Sequence, residues 1–334
     1  MDLQHNVSLK SYNTFGIDVN ATSFISVTSE DELISVLKKN YAETLFILGG
    51  GSNMLLTEDI EDTVVHLNLL GKTIVSEDNT SMTIDVSAGE NWHQFVLWTL
   101  DKNLGGLENL SLIPGNVGTS PIQNIGAYGV ELKDSFVSCD AIHKQTLVTK
   151  TFSKKDCEFG YRSSVFKTSL KGDYIITKVR FKLNKAPHLL STNYGIIEQE
   201  LERNKITEPT IQDVSNAVIA IRSSKLPNPN VLGNSGSFFK NPIIPINTFK
   251  TLKANHEHLP SYPVSEEFVK VPAGWLIDQS GLKGFREGDA GVHKNNAAVA
   301  ISSGSPTLPI GVIFRQTGNI SLSSIPPCVI SVRM

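Results

Sequence analysis

Between Gly105 and Glu131 the chain loses the regular periodicity that precedes it, and any fold must accommodate that break. Gly, Pro, Asn, Ser and Ala dominate Leu112-Ile113-Pro114-Gly115-Asn116-Val117-Gly118-Thr119-Ser120-Pro121 and Gln123-Asn124-Ile125-Gly126-Ala127-Tyr128-Gly129. An irregular stretch of this length inside a domain is usually functional. It must therefore be carried by regular elements on either side.

Those elements are legible. Phe24-Ile25-Ser26-Val27 reads as a strand. Ser29 followed by Glu32 is a capping box, and Leu33, Val36 and Leu37 continue at helical spacing. Thr44-Leu45-Phe46-Ile47-Leu48 reads as a buried strand running straight into Gly49-Gly50-Gly51-Ser52-Asn53. A strand spans Thr63 to Leu69, and residues 72–76 and 81–87 pair around Glu77-Asp78-Asn79. Asn91 to Lys102 suits a helix with Trp92, Phe95, Val96 and Thr99 on one face. Ile175 to Leu183 alternates, with Ile175, Val179, Phe181 and Leu183 inward and Lys178, Arg180 and Lys182 outward. Lys185-Ala186-Pro187-His188 reads as a linker, and Val214, Ala217, Val218 and Ile221 as a helix opening a further domain.

Composition excludes several classes. A chain of 334 residues holds roughly two or three domains. A net charge of -3 lacks the basic footprint of nucleic-acid binding. Cys139, Cys157 and Cys328 are far apart in sequence, without C-x-x-C metal spacing, and read as reduced core thiols. The polar start Met1-Asp2-Leu3-Gln4-His5 suggests no signal peptide. No apolar run approaches the roughly 18 residues of a membrane span. The expectation is a cytoplasmic monomer without metal.

Two Gly-rich segments in one domain point to a phosphate-bearing ligand. Glycines after a buried strand let backbone N–H groups approach an anion closely. Taken alone, Gly49 to Asn53 reads more readily as a tight strand connection. It is neither a G-x-G-x-x-G nor a Walker motif. Downstream, Gly233-Asn234-Ser235-Gly236-Ser237-Phe238-Phe239-Lys240-Asn241-Pro242 places one hydroxyl beside apolar shielding, a lysine and an amide. It is not a G-x-S-x-G elbow. Alone, it reads equally as a turn entering a half-buried strand. His66 and His93 read as core or surface residues rather than ligands.

In combination the motifs are specific. They are Asn13-Thr14-Phe15-Gly16, Gly49 to Asn53, Gly106-Leu107-Glu108-Asn109, Ile113-Pro114-Gly115, Pro121 to Gly129 and Phe159-Gly160-Tyr161-Arg162. Lys225-Leu226-Pro227, Gly236 to Pro242 and Ala273-Gly274-Trp275-Leu276-Ile277 complete the set. The chain resembles the UDP-N-acetylenolpyruvoylglucosamine reductase (MurB) family of flavoenzymes up to about Ala300. Tyr194-Gly195 resembles the larger subtype, with a tyrosine loop.

The resemblance implies an α+β fold: a two-lobed FAD-binding domain of the vanillyl-alcohol-oxidase (PCMH) type plus a smaller α+β substrate-binding domain. The expected boundaries are 1–70 and 71–210 for the lobes, 211–300 for the substrate domain and 301–334 for an atypical tail. It implies non-covalent FAD, NADPH as hydride donor, and a UDP-sugar whose enolpyruvyl group is reduced to a lactyl ether in peptidoglycan precursor synthesis. Carried over residue by residue, it makes Arg162 the carboxylate receptor and Ser237 the proton donor to carbon. FAD binding is expected from Gly49, Gly50, Gly51, Ser52, Asn53, Ile113, Pro114, Gly115, Gly118, Thr119, Ser120, Gln123, Asn124, Gly126, Ala127 and Tyr128. Tyr194, Lys225 and Asn241 match positions that contact the sugar nucleotide or nicotinamide nucleotide. Tyr262, Lys270 and Asn296 are further candidates.

The tail departs from the family. A closing helix and a glutamate-bearing strand are expected there, but no Asp or Glu follows Asp289, and Pro306, Pro309, Gly311 and Gly318 interrupt any helix. The tail reads as true divergence or as a shifted reading frame. A catalytically impaired FAD- and UDP-sugar-binding protein is therefore the alternative to a working reductase.

Overall fold

The computed structural model describes residues 2–39 and 45–302. These fall into two compact units. The first takes the chain up to Val7, then Asn20–Gly51 and Ile60–Ser224; the second takes Ser8–Val19, Ser52–Asp59 and, of the described residues, 225–302.

The first unit contains two main sheets. β1 (Leu3–Ser8), β2 (Asn20–Val27), β3 (Leu45–Leu48) and β4 (Ile60–Leu67) lie in the order β1-β2-β4-β3, with β2 and β3 parallel to β4. Helix α1 (Glu30–Lys39) buries Leu33, Val36 and Leu37 among Ile25, Val27, Val65 and Leu67, as its spacing dictates. Its cap is the expected box, extended by one residue. Glu32 N donates to Ser29 Oγ at 3.2 Å, the Glu32 carboxylate accepts from the Ser29 backbone, and it also accepts from Thr28 N and Oγ1 at 2.7 and 2.9 Å. Thr44, expected to open β3, lies outside the described residues.

The second sheet is antiparallel. Its strands are β5 (Lys72–Glu77), β6 (Ser81–Ser87), β9 (Phe136–His143), β10 (Thr149–Ser153) and β11 (Tyr174–Asn184), in the order β10-β9-β11-β6-β5. Helix α2 (Trp92–Asp101) follows β6, with Asn91 Oδ1 capping Gln94 N at 3.0 Å. The hairpin β7 (Gly126–Ala127) and β8 (Val130–Glu131) punctuates the irregular segment. Trp92, Phe95, Val96, Ile84, Val86 and Phe181 form the centre of the largest core, and Cys139 and Cys157 are buried in it as free thiols. Cys328 lies outside the described residues.

Three expectations need correction. First, the β11 alternation breaks, because a bulge between Ile176 and Lys178 shifts the register against β9. Ile175 therefore packs in the core of α1, while Ile176 shares the large core with Val179, Phe181 and Leu183. Second, the supposed linker is held down: Lys185 Nζ bonds Glu77 Oε1 at 2.5 Å and Asp78 O at 2.7 Å, and His188 Nε2 lies 3.0 Å from Asn103 Oδ1. Third, α4 (Ile211–Lys225) does not open the other unit. Its Ala217, Val218 and Ile221 pack with Ile197 and Leu201 of α3 (Gly195–Arg203), and Ser215 Oγ lies 2.8 Å from Ser111 Oγ. Burial against the first unit sets its membership through Ser224.

The second unit carries two small sheets. β12 (Gly233–Ser237), β16 (Arg286–Glu287), β17 (Ala290–Val292) and β18 (Val299–Ser302) lie in the order β12-β18-β17-β16. β13 (Ile243–Pro245), β14 (Tyr262–Pro263) and β15 (Phe268–Lys270) lie in the order β13-β15-β14. Helix α5 (Ile246–Asn255) contributes Phe249 to a core with Leu259, Val269 and Val271, and α6 (Ala273–Gln279) sets Ile277 against Leu282 and Val292. Ile301 and Ser302, assigned from sequence to the tail, complete β18; the rest of the tail lies outside the described residues.

Candidate active site

In the first unit the two Gly-rich segments meet. A Cβ built on Gly50 would lie 2.7 Å from Asn116 Oδ1 and 2.9 Å from Gly115 Cα, and one on Gly49 would lie 2.8 Å from Thr119 Cγ2. Only glycine permits that approach. Helix α2 holds the second segment from below: Trp92 Nε1 donates to Leu110 O at 2.9 Å, Trp92 N to Gly115 O at 3.0 Å, and Leu112 N to His93 Nδ1 at 3.0 Å. His93 is thus a loop anchor. His66 is also packed, stacked on Phe24 with Nδ1 3.2 Å from Ser26 Oγ.

The polar side chains of this segment do more internal work than the sequence suggested. Ser120 Oγ donates to Val117 O at 2.6 Å and Thr119 Oγ1 to Asn116 O at 2.8 Å, leaving both hydroxyls as acceptors. Asn124 is fully buried; its Nδ2 donates to Glu131 Oε2 and Gly160 O, and its Oδ1 accepts from Lys133 N. That amide is a clamp with no donor left over. Gly118 N donates to Ala88 O at 2.9 Å, so this glycine is packed rather than presented. Ile113, Pro114, Gly115, Gln123, Gly126 and Ala127 stay half-buried along the segment.

Arg162 joins the same loop. Its Nη1 donates to Asn124 O at 3.2 Å and its Nη2 to Gly126 O. Its backbone is left-handed at φ 52, as are Leu112, Asn124 and Tyr128 at φ 58, 42 and 50. Four non-glycine residues in that region, gathered on two neighbouring loops, are strain of the kind found at functional sites. Tyr128 stands edge-on to Tyr194, ring centroids 5.7 Å apart, and shares a hydrogen bond with Arg222. Burial raises the Tyr128 hydroxyl above its ordinary value, and the Arg222 charge opposes that. Sequence reasoning missed Arg222, although it stands three residues before Lys225 on the same helix.

In the second unit Ser237 ends β12, exposed and paired with Val299 of β18. Its strand is seated on the Asn13–Gly16 turn. A Cβ on Gly233 would fall 1.8 Å from Phe15 O, and Asn234 N donates to Thr14 O at 2.9 Å. Asn13 closes that turn with Nδ2 bonds to Leu9 O and Ile17 O and an Oδ1 bond from Ile17 N. Asn241 Oδ1 accepts from Ala273 N at 2.9 Å, fixing the start of α6. Lys270 pairs with Tyr262 across β15 and β14, its Nζ 5.6 Å from the ring. Asn296 Oδ1 accepts from Ala298 N at 3.1 Å in the turn before β18. Ser52 is half-buried and Asn53 exposed, both in this unit, as is the exposed Lys225.

Comparison with known proteins decides the family. Residues 21–151 match an FAD binding domain, and residues 228–308 match the C-terminal domain of UDP-N-acetylenolpyruvoylglucosamine reductase. The chain is 58% identical over 307 residues to the UDP-N-acetylenolpyruvoylglucosamine reductase of Flavobacterium johnsoniae, covering 92% of this chain and 91% of that one. The chain belongs to the UDP-N-acetylenolpyruvoylglucosamine reductase family. The Pseudomonas fluorescens reductase is 47% identical over 308 residues, covering 91% and 90%. The solved structure of UDP-N-acetylenolpyruvylglucosamine reductase from Thermus caldophilus superimposes with a TM-score of 0.63 at 24% identity, covering 94% of this chain and 92% of that one, and shows the fold. The close approach of Gly49 and Gly50 to residues 115–119 lies within the stretch that matches an FAD binding domain.

Proposed function

We propose that the protein reduces UDP-N-acetyl-3-O-(1-carboxyvinyl)-glucosamine to UDP-N-acetylmuramate, with FAD as cofactor and NADPH as hydride donor, in peptidoglycan precursor synthesis. The observation that carries this reading is Arg162. Its guanidinium is pinned to two loop carbonyls on a left-handed backbone beside the FAD-binding segments, with no carboxylate partner within 4 Å among the described residues. A guanidinium so prepared suits an anion.

FAD would be held by Gly49–Gly51, by the backbone of residues 113–120 and by residues 123–128; a Cβ on Gly49 or Gly50 would already collide with the opposite loop. When bound, FAD supplies the hydride chemistry that no side chain can. Arg162 binds the enolpyruvyl carboxylate and stabilises the negative charge that builds there as the double bond is reduced. Ser237 gives its hydroxyl proton to the carbon that carries the resulting charge; an enolate-like carbanion is basic enough to take it. Tyr194, Lys225 and Asn241 bind the nucleotide phosphates and sugar, with Tyr262, Lys270 and Asn296 as supporting contacts. A cytoplasmic monomer suits these small soluble ligands.

The test is direct. Purified protein is expected to be yellow, to release FAD on acid or heat treatment, and to sustain NADPH oxidation beyond one equivalent of its flavin only when the enolpyruvyl sugar is present. A colourless protein that takes up no FAD, or one that takes FMN instead, defeats the proposal. The absence of any Asp or Glu after Asp289 favours a second reading, FAD and sugar binding with little turnover. Ordinary binding of both ligands without NADPH oxidation would select it.

A further inference from the structure

Arg222 is an arginine whose surroundings are incomplete. It projects from α4, and its Nε is shielded from solvent with no hydrogen-bond partner. Buried donors are almost always paired, and an orphan needs an explanation. The guanidinium bonds the Tyr128 side chain. Arg162 is near enough to interact with it unfavourably, a second cation beside the first. Burial, and then Arg162, push the Arg222 charge below its ordinary range, with Tyr128 opposing. Among the described residues neither arginine has a carboxylate within 4 Å. Two half-buried cations without an anion destabilise each other, and an anion received by both removes that cost.

We propose that Arg222 is a second receptor for the carboxylate that Arg162 binds, so that Arg162, Arg222 and Tyr128 form one anion site and Arg222 is a further catalytic residue. The proposal rests on the function proposed above. A carboxylate presents about four lone-pair positions. Arg162 already directs Nη1 and Nη2 hydrogens to Asn124 O and Gly126 O, which leaves it too few to saturate both oxygens. The unpaired Arg222 Nε–H supplies what is missing. Because charge grows on that carboxylate as the adjacent carbon is reduced, a second fixed cation acts more strongly during reaction than before it. Tyr128 orients Arg222 through the hydrogen bond between them, and Tyr194 packs edge-on against the Tyr128 ring.

The experiment compares two ligands on the oxidised FAD holoenzyme by calorimetry. UDP-N-acetylmuramate carries the three-carbon carboxylate; UDP-N-acetylglucosamine has the same nucleotide and sugar without it. R222Q is expected to bind UDP-N-acetylmuramate roughly 10- to 100-fold more weakly, as loss of a charge-assisted hydrogen bond predicts. Its affinity for UDP-N-acetylglucosamine should stay within about twofold, since the phosphate contacts remain. R222K, which keeps the charge but not the planar fork, should recover part of the loss. Unchanged binding of UDP-N-acetylmuramate to R222Q overturns the proposal. Equal weakening of both ligands also overturns it, assigning Arg222 to phosphate or to the fold. Loss of bound FAD from R222Q and R222K alike would assign the cation to the cofactor and overturn it too. If the wild-type protein binds neither ligand, the proposed function itself fails, and this inference with it.

Discussion

Asn234 Oδ1 accepts a hydrogen bond from Gly236 N at 3.0 Å, and through it the turn before Ser237 is fixed to the body of its unit. The same side chain donates to Pro227 O at 3.0 Å and to Leu232 O at 2.8 Å while almost wholly buried. Asn234→Ala would leave an amide and two carbonyls without these partners. Each buried group so abandoned costs about 1–3 kcal/mol. The variant should therefore unfold at clearly lower urea than wild type. Asn234→Asp should do no better, because a carboxylate cannot donate to the two carbonyls. An unshifted urea midpoint in Asn234→Ala would mean that the turn is held by other contacts.

Ser237 and Arg162 should separate by half-reaction. Ser237→Ala is expected to leave NADPH-driven bleaching of the bound flavin nearly intact, while colour return on adding the enolpyruvyl sugar slows by about 100-fold or more. Arg162→Lys should also slow colour return, since a point charge does not replace a fork on a carboxylate. Stopped-flow absorbance reads both steps. Equal slowing of the two steps in Ser237→Ala would point to a binding or folding defect instead.

The regular elements were legible because period alone decides them. Leu33, Val36 and Leu37 recur at helical spacing, and Asn91 caps α2 where its side chain says it should. The Gly-rich loops were legible as a pair, because only glycine allows the contact of Gly49 and Gly50 with residues 115–119. What was not legible depends on through-space contacts. Asn124 reads as a ligand donor in sequence, yet Glu131, Lys133 and Gly160 occupy all of it. The bulge at Ile176 moves Ile175 to another core without any local Gly or Pro to announce it. Arg222 is one arginine among many until Tyr128 and Arg162 are seen beside it.

Trp92 couples the large core to the second Gly-rich segment. Its ring packs 6.0 Å from Phe181, and its Nε1–H satisfies Leu110 O, which is otherwise buried. Trp92→Phe keeps most of the apolar surface and removes the donor. The abandoned carbonyl costs about 1–3 kcal/mol. That corresponds to a fall in Tm of about 2–4 °C per kcal/mol for a unit of this size. FAD should also dissociate more readily, because Leu110 leads into residues 112–119. Differential scanning calorimetry and the ratio of flavin to protein absorbance after gel filtration check the two claims. A lowered Tm with full FAD retention would separate the core from the cofactor loop.

Asp78 makes the stability of the β5–β6 hairpin pH-dependent. Its carboxylate accepts from Thr80 N and Oγ1 at 2.7 and 2.8 Å and from Ser81 N and Oγ at 2.7 and 3.0 Å. These bonds, led by that from the Thr80 amide, hold the Asp78 carboxyl well below its ordinary value of 3.8. A carboxyl that is more acidic in the folded state stabilises the fold above its unfolded value and loses that contribution as pH falls through the folded one. Asp78→Asn mimics the protonated form, retaining one acceptor oxygen without the charge. Wild type should therefore melt above Asp78→Asn by a constant margin at pH 5 and higher, and the margin should shrink as pH falls below 3.8. Thermal melts followed by circular dichroism from pH 7 to pH 2 would show it. A margin that stays level across that range would mean that hydrogen-bond geometry, not charge, is what Asp78 contributes.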